Sequence, residues 1–143
     1  MLDERKALKV LFLCTGNSCR SQMAEGWARH LKGKVLEPYS AGIEAHGLNP
    51  FAVKVMAEAG VDISGQQSKT VDAVRNVPFD LVVTVCGHAA ESCPSWLGAG
   101  GKVIHAGFED PPALARQAKT DEASLECYRR VRDEIRLFVE TLG

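Results

Sequence analysis

The chain has 143 residues, 45% apolar and 24% charged, with a net charge of −1. That length suits one domain spanning residues 1–143 with an ordinary core, and the balanced composition excludes a disordered chain. No apolar run approaches membrane-spanning length, no basic stripe points to nucleic acid, and the mixed-charge opening Met1-Leu2-Asp3-Glu4-Arg5-Lys6 is not a secretory signal, so a cytoplasmic location without membrane or nucleic-acid partners is expected.

Leu8 to Leu13 is a continuous apolar run of the kind expected for a strand buried on both faces. It ends in the small polar stretch Thr15-Gly16-Asn17-Ser18, and a helix follows from about Ser21 to Leu31, with Ala24, Trp27, Ala28 and Leu31 on one face. Val35 to Ala41 reads as a second strand, placed near an edge by Pro38. Asn49-Pro50 opens a helix through Ala59, with Asn as cap, Pro in the first turn and Gly60 as stop. Thr70 to Asn76 is a short, weaker helix. Phe79 to Val85 is a third strand and Lys102 to His105 a fourth. Ala113 to Thr120 reads as the least structured connection. From Asp121 to Leu142, Leu125, Tyr128, Val131, Ile135, Phe138 and Leu142 recur at helical spacing.

These elements predict an α/β fold, a four-stranded, mostly parallel sheet with helices on both faces. No long apolar stripe remains once the sheet is covered, so a monomer is expected. Such sheets bind ligands at the carboxyl ends of their strands. Cys14 and Cys86 each follow a central strand, and Asp110 follows the fourth, so all three should reach one crevice.

The five cysteines, at 14, 19, 86, 93 and 127, lack the paired short spacings of zinc sites. An odd number in a reducing compartment leaves catalysis or redox exchange as their use, and no bound metal or cofactor is expected. The segment from Cys14 to Arg20 is the sharpest chemical pattern. Its residues Thr15, Gly16, Asn17, Ser18 and Cys19 can curl so that backbone N–H groups converge on a tetrahedral oxyanion, with the following helix dipole behind them. Arg20 adds a planar, bidentate donor. These positive surroundings should favour Cys14 as a thiolate nucleophile, with Ser21 donating to it and Asn17 bracing the loop. Asp110 is a candidate acid. Cys19 reads as structural with a redox liability, Cys127 as passive, and His46 as ordering the loop.

The stretch from Cys14 to Trp27 resembles the thioredoxin-coupled arsenate reductases, which are built on the low-molecular-weight tyrosine phosphatase fold. Tyr39-Ser40-Ala41-Gly42-Ile43-Glu44, Asp80 to Cys86, Gly107-Phe108 with Asp110-Pro111, and Arg130 to Ile135 extend the resemblance over nearly the whole chain. It implies a three-cysteine relay in arsenic detoxification. Cys14 attacks arsenate while Asp110 protonates the departing oxygen; Cys86 expels arsenite by forming a disulfide with Cys14; Cys93 moves that disulfide to Cys86–Cys93, where thioredoxin, an external reductant, opens it. Some members of the family also hold potassium beside the loop, through residues matching Asn17, Glu25 and Ser40 and an aspartate. Lys69 stands where the aspartate would be, and its ammonium is expected to replace the ion and reach Glu25.

The spacing of the last two cysteines adds a constraint. If Gly87 to Ser92 is helical, the Cα atoms of Cys86 and Cys93 lie roughly 10 Å apart, at about 1.5 Å per residue. A disulfide needs roughly 4.4 to 6.8 Å. The segment must therefore unwind on oxidation. Two other functions use the same residues: a tyrosine phosphatase needing only Cys14, Arg20 and Asp110, and a non-enzymatic carrier of oxyanions or thiol-bound metals.

Overall fold

The computed structural model describes residues 7–94 and 101–142; the charged leader over residues 1–6 lies outside them. Four strands, β1 (Leu8–Cys14), β2 (Leu36–Gly42), β3 (Leu81–Thr84) and β4 (Lys102–His105), form one parallel sheet in the order β2-β1-β3-β4. Val10, Leu11, Phe12 and Leu13 are completely buried. An apolar run without alternation is what a strand covered on both faces requires. β2 is an edge strand, and Pro38 is accommodated there.

Helix α1 (Arg20–Lys32) packs on β1 and β2 and against α5 (Asp121–Glu140), while α2 (Pro50–Glu58) and α4 (Pro111–Leu114) lie against α5. The short α3 (Gly87–Ser92) touches β1 and β3, and a 3-10 turn over Val71–Val74 packs on β2. Trp27, 2% exposed, sits in the α1–α5 seam and its indole N–H donates to the Arg132 carbonyl at 3.1 Å. On α5 the buried stripe is Leu125, Tyr128, Val131, Ile135 and Val139, with Leu142 beyond the helix end.

Local signals explain the helix limits. The Asn49 side chain accepts from the Phe51 and Ala52 amides, Pro50 starts α2, and Gly60 follows its end at φ 86°. Thr120 caps α5 by accepting from the Ala123 amide at 3.1 Å. The connection over residues 113–120, expected to be the least structured, holds short helical turns as far as Gln117. Pro111, pre-set for a first helical turn, starts α4, and a 3-10 turn over Ala115–Gln117 continues it.

The register fixes where the chemistry falls. Cys14 pairs with Gly42, and Leu13 with Thr84, so the carboxyl ends of β1, β2 and β3 finish at one level. A Cβ on Gly42 would lie 2.2 Å from the Glu44 carbonyl and 2.7 Å from the Asn17 amide. Only glycine lets the two loops close over this end of the sheet.

Candidate active site

The loop from β1 into α1 is shaped by where its carbonyls go. Cys14 O accepts from the Ile43 amide, Thr15 O from Glu44, Gly16 O from His46, Ser18 O from Asn49 and Cys19 O from Met23, at 2.8 to 3.1 Å. Asn17 O accepts from the Gln22 carboxamide at 3.1 Å. Every carbonyl of the loop is thus tied behind it, whereas the amides of residues 15–19 have no partner among the described residues. A loop held in this way offers a concave set of N–H donors, and α1 adds its N-terminus without a side-chain cap.

Asn17 makes the turn possible. It lies at φ 46°, a left-handed value that asparagine tolerates better than most residues, and it is fully buried. Its Oδ1 accepts from the Lys69 amide at 2.8 Å and from Gln22 Nε2 at 3.1 Å, and its Nδ2 donates to Ser21 Oγ at 2.9 Å. Ser21 Oγ lies 3.0 Å from Cys14 Sγ. Since that oxygen already accepts from Asn17, its own hydrogen is free to point at the sulfur.

Arg20 is anchored by a bond from its guanidinium to the Phe108 carbonyl at 2.9 Å and faces Asp110 Oδ1 at 3.6 Å. Cys14, Arg20, His46 and Asp110 line a cleft of about 350 Å³ together with Thr15, Gly16, Ser18, Cys19 and Pro112. The His46 ring lies so close over Gly16 that a Cβ there would fall 2.4 Å from Nδ1. Asp110 also precedes α4 in its cap position, so one residue serves the turn and faces the cleft.

Cys86 is 5% exposed and caps α3 by accepting from the Ala89 amide at 3.4 Å. Its Sγ also lies 3.3 Å from Thr15 Oγ1, beside the anion loop. Cys93 ends the same helix, and burial pushes its thiol up from the usual cysteine range. The helix between them is intact and all five cysteines are free. Cys19 is 4% exposed; burial above all, then the Asp110 charge, drives its thiol far up, which disfavours the thiolate. Cys127 donates to the Ala123 carbonyl on its own helix.

The expected Lys69–Glu25 contact is corrected. Lys69 Nζ turns back to the Gln67 carbonyl at 3.1 Å, while Glu25 Oε2 is paired with the Arg29 guanidinium at 2.5 Å and Oε1 accepts from Ser40 at 2.5 Å. Arg29 stands four residues after Glu25 on α1, the spacing at which helical side chains meet, so the signal was legible in the sequence. Glu25 therefore has a fixed cation, and Asn17 Oδ1 already takes two N–H donors; Asn17, Glu25 and Ser40 do not fit a potassium ion here. Exchanging sodium for potassium is expected to leave the melting temperature and turnover unchanged, and a rise of several degrees in potassium would contradict this. The sequence reading also missed Thr15 as the link to Cys86, the Phe108 carbonyl behind Arg20, and the glutamines Gln22 and Gln66. None of these carries a local motif.

An amide-lined cradle with a cysteine at its base equips enzymes that attack tetrahedral oxyanions through sulfur. The chain belongs to the low molecular weight phosphotyrosine protein phosphatase family, whose pattern matches residues 9–142. Its relatives include the arsenate reductase of Halalkalibacterium halodurans, 53% identical over 134 residues and 94% of each chain. That of Bacillus subtilis is 55% identical over 126 residues and 88% of each. Among solved structures, an arsenate reductase in the phosphate binding state is 35% identical with a TM-score of 0.78, covering 93% of this chain and 94% of the other. No helix among the described residues is long and apolar enough to cross a membrane.

Proposed function

We propose that this protein, an arsenate reductase like its relatives, passes electrons through Cys14, Cys86 and Cys93 in turn and returns to its starting state by way of thioredoxin. The observation that carries this reading is the meeting of two strand ends. Ser21 Oγ lies 3.0 Å from Cys14 Sγ, and Thr15 Oγ1, in the next residue, lies 3.3 Å from Cys86 Sγ.

Arsenate is held by the amides of residues 15–19 and by Arg20. The Cys14 thiolate attacks arsenic, a sulfur–arsenic bond forms, and one oxygen leaves as water after protonation by Asp110. Cys86 then loses its proton and attacks the Cys14 sulfur. A disulfide forms, the sulfur–arsenic electron pair goes to arsenic, and arsenite departs. Cys93 attacks Cys86 in its turn, which frees the Cys14 thiolate and leaves a Cys86–Cys93 disulfide for thioredoxin. The reaction belongs to arsenic detoxification in the cytoplasm by a single, monomeric chain.

The last exchange cannot occur across the intact α3, whose capping cysteines are separated by roughly 10 Å at helical rise. A helix of six residues is marginal on its own, so opening it is inexpensive. Opening also lifts the burial that holds the Cys93 thiol up, which makes it a better nucleophile at the moment it is needed. Amides 87–92 should exchange hydrogen faster in the Cys86–Cys93 form than in the reduced protein. Equal protection in the two forms would rule the opening out.

The function is tested by arsenite production with thioredoxin, its reductase and NADPH. Wild type is expected to turn over and Cys86→Ser not to. Equal behaviour of the two would favour a carrier, whereas aryl phosphate hydrolysis without arsenite would leave a phosphatase. Against the latter, Ala113 and Leu114 follow the Asp110-Pro111-Pro112 run where phosphatases of this fold tend to carry tyrosines.

A further inference from the structure

The carbonyls behind the cradle are not all held alike. Those of Cys14, Thr15, Gly16, Ser18 and Cys19 each accept a backbone amide, a donor that a side-chain substitution leaves in place. The carbonyl of Asn17 differs: among the described residues its partner is the side-chain nitrogen of Gln22, at 3.1 Å. Gln22 lies in the first turn of α1 and is fully buried. Its Nε2 has three acceptors, the Asn17 carbonyl, the Gln67 carbonyl and Asn17 Oδ1, all at 3.1 Å. Two of these have a second donor. Lys69 Nζ reaches the Gln67 carbonyl at 3.1 Å, and the Lys69 amide reaches Asn17 Oδ1 at 2.8 Å. Among the described residues, the Asn17 carbonyl depends on Gln22 alone.

A trans peptide plane carries its C=O and its N–H in opposite directions. Tying the Asn17 carbonyl behind the loop therefore turns the Ser18 N–H the other way, towards the seat of an oxyanion. The planes on either side are anchored by backbone bonds, from His46 to the Gly16 carbonyl and from Asn49 to that of Ser18. Between two fixed planes the middle one can still tilt, by opposed rotations about ψ of Asn17 and φ of Ser18. A hydrogen bond weakens steeply as its angle closes, so a tilt takes the Ser18 donor off the anion. We propose that Gln22 is a positioning residue for the oxyanion, acting through the Asn17 carbonyl to aim the Ser18 amide into the cradle. The inference rests on the reading of residues 15–19 as an oxyanion cradle, and it names the side chain on which one of the donors depends.

The probe is inorganic phosphate, a tetrahedral oxyanion whose binding needs no thiol chemistry. Isotope-labelled, reduced full-length protein is titrated with phosphate, the amide proton shifts of residues 15–19 are followed by NMR, and the affinity is measured by calorimetry. In the wild type the Ser18 amide should move downfield together with its neighbours in the loop. Gln22→Met keeps the length of the side chain and removes its donor. There the Ser18 displacement should largely vanish while those of Gly16 and Asn17 persist, and phosphate should bind about fivefold more weakly, as part of one hydrogen bond to an anion is lost. A merely structural role would lower every displacement together, and that result overturns the proposal. A Ser18 displacement in Gln22→Met equal to that of the wild type also overturns it. So does a wild-type Ser18 amide that stays in place while its neighbours move, a result that needs no variant. If Gln22→Met has no thermal transition, Gln22→Leu decides by the same criteria. A wild type whose loop amides all ignore phosphate sinks the cradle itself, whereas binding with Ser18 indifferent to the substitution sinks only the role of Gln22.

Discussion

Cys93→Ser is expected to make one arsenite per protein molecule and stop, whereas Cys86→Ser makes none. In the proposed order, Cys86 supplies the electrons that leave with arsenic, and Cys93 only clears Cys14 for the next cycle. Without Cys93 the chemistry still runs once and strands the protein as a Cys14–Cys86 disulfide, two hydrogens lighter. Turnover with thioredoxin should fall by on the order of 10³-fold or more in both variants, since members of one catalytic unit do not act independently. Rapid-quench arsenite measurement with arsenate in excess over protein, with intact mass, separates the two. Repeated turnover by Cys93→Ser would remove Cys93 from the relay. One equivalent of arsenite from Cys86→Ser would mean that another thiol had taken its place. Cys19 is the nearest in sequence to Cys14, but burial and the facing Asp110 charge keep it protonated.

The largest effect on stability is expected at Asn17. Truncation to alanine orphans the Lys69 amide, takes one of three acceptors from Gln22 Nε2 and a donor from Ser21, and places a Cβ-bearing residue without polar compensation at φ 46°. The cost is estimated at about 2–4 kcal/mol, from the stranded Lys69 amide, the bonds lost to Gln22 and Ser21 and the left-handed backbone. Asn17→Gly should recover about 1 kcal/mol of this, because glycine is at ease in the left-handed region. Thermal melts should show a fall on the order of 10 °C for the alanine variant. If alanine and glycine melt together, backbone strain makes no contribution. If both melt near wild type, the hydrogen bonds to Asn17 are not holding the loop.

The fold was legible because its signals are local. Unbroken apolar runs mark β1 and β3, Asn49-Pro50 and Gly60 bound α2, and the repeat from Leu125 onward marks α5. The loop from Cys14 to Arg20 was legible for the same reason: seven consecutive residues carry the proposed nucleophile, the amides and the arginine between a strand and a helix. That Cys86 lies beside the loop after Cys14 follows from topology, since neighbouring parallel strands end at one level. Even the geometric conflict between an intact α3 and a Cys86–Cys93 bond could be worked out from helical rise.

Contacts between residues distant in the chain could not be read in this way. Lys69 illustrates the limit. Its position suggested a cation for Glu25, yet in the fold its backbone N–H serves Asn17 and its ammonium turns to Gln67, while Arg29 reaches Glu25. The bond from Gln66 to Gln22, 44 residues apart, and that from Arg20 to the Phe108 carbonyl, 88 apart, follow no local pattern. Composition and periodicity settle which residues enter strands and helices, because each element satisfies its own backbone and buries its own face. The direction of each hydrogen bond behind Cys14 is decided by tertiary structure, because it depends on which donors from separate segments arrive at the same oxygen.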